Sequence, residues 1–179
     1  MPRRPLRRRR AMAGMARIAC VVAGLMLLPS HAAHALDRPA GKVILTITGA
    51  LGVHNDGGVA VFDMALLDTL PQHSFSTKTP WYPQPRKFSG VLVSELLKAV
   101  EARGTTLKAV ALNDYRVDIP VDALTRHGAM VASQLDDKPI AVRDKGPLMI
   151  IYSYDSNPHL RTAVHYRHAV WQLRGLELR

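Results

Sequence analysis

Hydrophobic and polar residues alternate along residues 42–48, where Val43, Leu45 and Ile47 share one phase. A period of two predicts a half-buried strand, because successive side chains of a strand point to opposite faces. Comparable patterns predict further strands at residues 107–112, 115–119, 130–134, 138–142, 148–152 and 171–178. The chain is therefore expected to be mostly β-sheet.

Two of these segments also carry a signal for their local geometry. Asn113-Asp114 separates residues 107–112 from residues 115–119, and this dipeptide tolerates the positive φ angles of a tight turn. In residues 171–178 the inward phase begins with Trp171 and slips by one position at Gly175. The first pattern predicts a β-hairpin, and the second predicts a β-bulge.

Short helices are expected between the strands. Asp63 is placed to cap one helix and Ser94 to cap a second that ends before Gly104. The inward side chains of these two helices are expected to be Leu66, Leu67, Leu70, Leu96, Leu97 and Val100. Residues 122–126 and 161–169 are predicted as further helical segments. Residues 72–88 contain three prolines and are expected to be irregular.

The charge of the chain is concentrated at its start. There are 24 Lys and Arg residues against 14 Asp and Glu residues, a net charge of +10. Seven arginines and no acidic residue lie in residues 1–35, so residues 36–179 carry 17 basic and 14 acidic side chains. Because binding to a phosphate backbone requires a dense basic stripe, this near balance argues against a nucleic-acid partner.

Residues 1–35 have the organisation of an export signal. An arginine-rich start precedes an apolar run at residues 18–28, and Ala33-His34-Ala35 then predicts a cleavage site. The run is shorter than the roughly 20 residues of a permanent membrane helix. Cys20, the single cysteine of the chain, lies inside this segment. We therefore expect residues 36–179 to be a single periplasmic or secreted domain with no disulfide and no permanent membrane span.

Several short stretches occur in an order typical of one family. They are Phe88-Ser89-Gly90-Val91, Ser94-Glu95-Leu96-Leu97, Asn113-Asp114-Tyr115, Ile119-Pro120 and Lys145-Gly146-Pro147-Leu148-Met149-Ile150-Ile151-Tyr152. In this order the chain resembles, over roughly residues 42–178, the oxidoreductase molybdopterin-binding domain shared by sulfite oxidases and related exported molybdoenzymes. The resemblance implies an α+β fold of the sulfite-oxidase type, with mixed, mostly β-sheet structure and short peripheral helices.

The resemblance also implies a cofactor site. In that family the pterin supplies two sulfurs to molybdenum, and a cysteine a few residues before a tryptophan supplies a thiolate. Matching on Trp81 places Thr77 near the position of that cysteine, and a hydroxyl is a poor substitute for a soft thiolate ligand. The cofactor contacts expected by resemblance and position are Thr77, Trp81, Asp114, Tyr115, Lys145 and Gly146. No side chain is predicted to bind a metal, and the sequence identifies no catalytic residue.

Other residues offer different chemistry. His165 and His168 are three positions apart and share a helix face, where His159 would be a third ligand for Zn or Cu; a solvated or capping role is the alternative. Trp81 and Tyr82 would either stack on a planar ligand or fill the edge of the core. Basic residues suited to a phosphate or another small anion are Arg116, Arg143, Lys145, Arg161, Arg167 and Arg174.

Three hypotheses of function follow. The first is an exported non-redox module that binds a small anionic ligand, senses it, or engages a periplasmic protein partner. The second is an active molybdopterin-dependent oxidoreductase with a non-thiolate metal site. The third is a scaffold or partner subunit that uses only the fold. The missing cysteine favours the first hypothesis.

Overall fold

Ten strands and four short helices make up residues 36–179, the part of the chain that the computed structural model describes. The strands are β1 (Leu45–Gly49), β2 (Ala60–Phe62), β3 (Gln72–Thr79), β4 (Tyr82–Leu92), β5 (Thr106–Ala111), β6 (Arg116–Pro120), β7 (Met130–Leu135), β8 (Lys138–Pro139), β9 (Met149–Ile151) and β10 (Leu173–Leu178). The helices are α1 (Met64–Asp68), α2 (Val93–Ala99), α3 (Val121–Arg126) and α4 (Ala163–His168). The predicted α+β class is confirmed. The predicted export signal, residues 1–35, lies outside the described residues.

The strands form two sheets. The first has the order β2-β1-β10-β5-β6, in which β1 and β10 are parallel and the other neighbours are antiparallel. The second has the order β3-β4-β7-β8, and β9 pairs antiparallel with β7. Buried side chains from both sheets form one hydrophobic core with the helices, and Phe62, Phe88, Leu96 and Tyr152 are fully buried in it.

The local signals in the first sheet led to correct predictions, with one exception. β5 and β6 pair as a hairpin, and Asp114 in its turn has a positive φ of 63°. The register of β10 shifts between Leu173 and Gly175, which is the predicted bulge. Trp171, however, precedes the strand and is 40% exposed, so its assignment to the inward phase is wrong.

Residues 72–88 form most of the β3–β4 hairpin, so the prediction of an irregular segment is wrong. Thr79 pairs with Tyr82, whereas Thr77 pairs with Arg86, which leaves extra residues of β4 in a bulge. One proline lies in the connection between the strands and the other two lie in this bulge, where no ladder N–H is needed. The buried side chains of β3 are threonines, so the alternation was not visible as a hydrophobic pattern.

The helices differ in how they begin. Asp63 caps α1 as predicted: its Oδ1 accepts a hydrogen bond from Leu66 N at 2.8 Å, and its Oδ2 accepts one from Gly41 N at 2.6 Å. Both bonds hold the pKa of Asp63 below its ordinary value, and the bond from Leu66 N has the larger effect. Ser94 instead lies within the first turn of α2, which has no side-chain cap, so its predicted capping role is wrong. α3 also begins without a side-chain cap. No helix in residues 36–179 is long and apolar enough to cross a membrane.

Candidate ligand-binding cleft

A cleft of about 430 Å³ opens between β4, β8 and the loop that follows β8. Its charged lining residues are Arg86, Lys138, Arg143, Lys145 and Asp144, and its apolar surface includes the Tyr82 ring, Leu135 and Ile140. The lining thus carries four cations and one carboxylate, and we call this surface the basic cleft. The arrangement is suited to a small anion that carries an apolar or aromatic body.

The side chain of Lys145 is held between two aromatic rings. Its Nζ lies 4.8 Å from the ring centroid of Tyr82 and 4.8 Å from that of Trp171, which are cation–π distances. Its backbone oxygen accepts a hydrogen bond from Gln172 N at 2.8 Å, and Gln172 Nε2 donates to Val142 O at 2.9 Å. These contacts fix the position of the Lys145 ammonium group at the cleft.

Gly146 lets the loop close on itself. Its N–H donates to Ala141 O at 3.0 Å. A Cβ atom at Gly146 would lie 2.0 Å from Ile140 O, which is far inside van der Waals contact. Only glycine therefore permits the loop path that places Lys145 and Ile140 on the same cleft.

The cations of the basic cleft differ in their ionic partners. Arg86 Nε lies 2.5 Å from Asp136 Oδ2, and Arg143 Nε lies 3.7 Å from Asp144 Oδ2. Within residues 36–179, neither Lys138 nor Lys145 forms an ion pair with a carboxylate. The two ammonium groups are thus the cations least neutralised by the protein itself.

Trp81 lies behind the cleft and not in its lining. Its ring centroid is 5.1 Å from that of Trp171 and 6.4 Å from that of Tyr166, in edge-to-face arrangements. Tyr166 continues this aromatic cluster to Tyr154, whose ring centroid is 5.2 Å away. The indole Nε1 of Trp81 is buried without a hydrogen-bond partner in the described structure. Trp81 supports the Trp171 ring on which Lys145 lies.

Thr77 joins β3 to the segment that follows β9. The side chain is fully buried, and its Oγ1 accepts a hydrogen bond from Asp155 N at 3.0 Å and donates to Lys78 O at 3.2 Å. Asp155 Oδ2 in turn accepts from Lys78 N at 2.9 Å, and Asp155 forms an ion pair with Arg161. The bond from Lys78 and the Arg161 charge hold the pKa of Asp155 below its ordinary value.

These contacts test whether Thr77 fits the position of the family's metal-binding cysteine. The Thr77 hydroxyl already uses a lone pair and its proton within the protein. A buried hydroxyl so engaged does not fit the role of a soft metal ligand. The residues present at this position therefore do not suit molybdenum ligation by a side chain, and we derive no redox step through the cofactor.

Asp114 and Tyr115 lie away from the basic cleft. Asp114 Oδ1 is 2.7 Å from Arg174 Nη2 and 3.8 Å from Arg116 Nη2, on the first sheet. Tyr115 donates its hydroxyl to Arg167 O at 3.0 Å and borders a separate hollow of about 260 Å³. The structure thus brings Trp81 and Lys145 together at Trp171, with Gly146 next to Lys145 in the loop. Tyr115 borders the separate hollow on another side of Trp171, whereas Thr77 and Asp114 lie away from it.

The cations predicted from sequence are also divided. Arg143 and Lys145 line the basic cleft, whereas Arg116, Arg161, Arg167 and Arg174 do not. Lys138 and Arg86 also line the basic cleft and were not predicted from the sequence. Lys138 begins residues 138–142, which were predicted as a strand, and Arg86 falls in the segment expected to be irregular. No local signal marked either residue.

His127, His165 and His168 lie next to one another in a line that we call the histidine row, and His159 is not part of it. The ring centroid of His165 lies 6.0 Å from that of His168 and 5.7 Å from that of His127. His159 is exposed, and His165 Nδ1 lies 2.9 Å from Thr162 Oγ1 at the start of α4. Among residues 36–179, no group of three or more His, Cys, Asp or Glu residues is arranged to hold a metal ion.

The histidine row is expected to make stability depend on pH. Burial is the main cause that lowers the pKa values of His165 and His168 from the ordinary 6.5. The neighbouring charge of His127 lowers the pKa of His165 further, and the charges of His165 and Arg167 lower that of His168. The unfolded chain then binds protons more readily than the folded protein. Stability is therefore complete above about pH 6.5 and falls as the pH drops towards the folded-state pKa values.

Urea midpoints at about pH 7.5 and about pH 5.5 would measure this loss. His168→Gln should reduce the difference between the two midpoints, and the matched variant His159→Gln, at an exposed position, should retain it. A parent protein whose midpoint does not fall at the lower pH would contradict the expectation.

Comparison with known proteins gives a fold-level similarity only. No protein family matches the chain, and no curated protein matches its sequence. The fold is similar to that in the crystal structure of the sulfane dehydrogenase SoxCD from Paracoccus pantotrophus, with a TM-score of 0.54 and 15% sequence identity over 75% of this chain. The matched region spans 37% of the SoxCD chain. The chain thus has an α+β fold similar to part of that structure, and different functions can be built on one fold.

Proposed function

We propose that the protein is an exported, non-redox binding module that takes a small organic anion in the basic cleft. The observation that carries the proposal is the pair Lys138 and Lys145, two ammonium groups without a described carboxylate partner that line one cleft beside the Tyr82 ring. An anion placed there gains charge-assisted hydrogen bonds.

The lining also selects the shape of the ligand. Tyr82 offers the face of an aromatic ring, and Leu135 and Ile140 add aliphatic surface. Sites for small molecules combine such apolar surface with a few fixed polar groups. The ligand class we propose is therefore a planar or apolar group that carries a phosphate or carboxylate.

Two features favour a fixed binding site over a solvated basic patch. The Lys145 ammonium is positioned by Tyr82 and Trp171, so less side-chain freedom is lost when an anion binds. The loop that carries it is closed by the Gly146 and Gln172 hydrogen bonds. The engaged hydroxyl of Thr77 supports a role without molybdenum chemistry.

Titration with phenyl phosphate, followed by calorimetry and by tryptophan fluorescence, would test the proposal. We expect saturable binding with a Kd below about 1 mM. Lys145→Gln should weaken binding about 10- to 100-fold, because it removes a hydrogen bond between charged groups. Lys98→Gln, which changes an exposed lysine of α2 outside the cleft, is the matched control and should bind like the parent.

Two results would overturn the proposal. One is the absence of saturable binding of phenyl phosphate, or an equal loss of affinity in the Lys98→Gln control. The other is near-stoichiometric molybdenum in the mature protein after expression in a host that makes the pterin cofactor. The second result would favour the oxidoreductase with a non-thiolate metal site.

A further inference from the structure

β3 forms an open edge of the second sheet. Among the described strands it pairs only with β4, and its other side has no strand neighbour. Natural proteins usually protect such edges with lysines, prolines or bulges, because unpaired N–H and C=O groups can pair with another chain. The stretch Gln72, His73, Ser74, Phe75 and Ser76 contains no proline, lysine, arginine or carboxylate. It is an edge without the usual protection.

The pairing of β4 fixes which backbone groups of β3 face outwards. On the β7 side of β4, Lys87 N donates to Asp136 Oδ1 at 3.0 Å, and Lys87 O accepts a hydrogen bond from Asp136 N at 2.8 Å. In an antiparallel ladder successive residues alternate between the two sides. The backbone N–H and C=O groups of Phe88 therefore point to β3, where Phe88 pairs with Phe75. The N–H and C=O groups of Ser74, the preceding residue of β3, then point away from β4.

A second contact agrees with this assignment. Lys78 N donates to Asp155 Oδ2, which lies on the side of β3 away from β4. By the same alternation, Gln72, Ser74 and Ser76 direct their backbone groups to that outer side. Asp155 occupies the edge at Lys78, and Pro71 has no N–H at the other end. The open stretch thus runs over residues 72–76, and its midpoint is Ser74.

We propose that the β3 edge pairs antiparallel with the same edge of a second copy of the chain, around a two-fold axis at Ser74. In this register Ser74 is opposite the partner's Ser74, and Gln72 is opposite the partner's Ser76. Each outward N–H then meets an outward C=O, so the edge is complementary to itself. The two five-stranded sheets become one continuous sheet.

The side chains favour a second copy over a charged partner. His73 is exposed and Phe75 is half-buried, and both lie on the same face of β3 because they are two positions apart. The proposed register places His73 opposite the partner's Phe75, which covers the exposed part of that ring by an aromatic cross-strand pair. No like charges oppose each other, and the edge carries no charge that would select an oppositely charged protein.

Charge pairing at the axis gives a sharp test. We expect the full mature chain to form dimers as its concentration rises from about 10 μM towards about 1 mM, measured by analytical ultracentrifugation. Ser74→Lys and Ser74→Asp should each be monomeric, because each places like charges opposite one another. An equimolar mixture of the two variants should restore the dimer, because opposite charges then face each other across the axis.

Ser89→Lys is the matched control, since Ser89 is the β4 residue opposite Ser74 and does not lie on the edge. This variant should dimerise like the parent. Because the Ser74 N–H is not used in the β3–β4 ladder, all of these variants should retain the parental circular dichroism spectrum. A parent chain that remains monomeric up to about 1 mM would overturn the proposal. So would a dimer that persists in both Ser74 variants, or a mixture of the two that stays monomeric.

Discussion

Replacement of Phe88 by alanine is expected to lower the free energy of unfolding by about 3–5 kcal/mol. Phe88 is fully buried in β4, between β3 and β7. Its ring centroid lies 6.3 Å from that of Phe75 and 6.4 Å from that of Tyr82. Truncation leaves a cavity in the core and removes the support behind the Tyr82 ring of the basic cleft.

Urea denaturation of the parent and the variant would measure the change, with comparison at the same m value. Phe75→Ala is the matched control, because it removes the same ring from a half-buried position at the sheet edge and should cost less. A loss below about 0.5 kcal/mol in Phe88→Ala, which is typical of surface positions, would show that this ring does not support the core.

Gly146→Ala is expected to destabilise the protein by about 3 kcal/mol and to reduce the affinity for phenyl phosphate. The new Cβ would collide with Ile140 O, a backbone atom that cannot rotate away as a side chain can. The loop must then shift, and Lys145 moves with it out of its place between Tyr82 and Trp171. Stability and ligand binding should therefore fall together.

Gly175→Ala provides the control for this substitution. A Cβ at Gly175 would meet its nearest atoms at 3.7 Å and 3.8 Å, which are ordinary contact distances. Chemical denaturation and calorimetry with phenyl phosphate should separate the two variants, with little change in Gly175→Ala. A Gly146→Ala protein as stable and as active in binding as the parent would contradict the assigned role of the loop.

The parts of the fold that the sequence predicted are those with a local cause. Asp63 caps α1 because its carboxylate reaches the N–H of Leu66 three positions along the chain. The turn at Asp114 and the bulge near Gly175 likewise depend on residues next to each other in sequence. Such features can be recognised without knowledge of the tertiary structure.

The basic cleft could not be predicted in the same way. Lys138 and Lys145 line one cleft with Tyr82 and Arg86 of β4, which lie more than 40 positions earlier in the sequence. Thr77 was predicted by resemblance as a cofactor contact, but its bond to Asp155 joins residues 78 positions apart. Pairings of this kind depend on the assembled sheets and leave no spacing pattern along the chain.

The position of β10 has a consequence for how the protein folds. This strand lies between β1 and β5 in the first sheet, so one of its neighbours precedes it by more than 120 positions. Neither neighbour can find its central partner until residues 173–178 have been synthesised. Contacts between distant segments slow folding, because the intervening chain must be ordered before the contact forms. The first sheet therefore cannot close until its last strand has been made, and a chain that ends before residue 173 would lack the strand that joins β1 to β5.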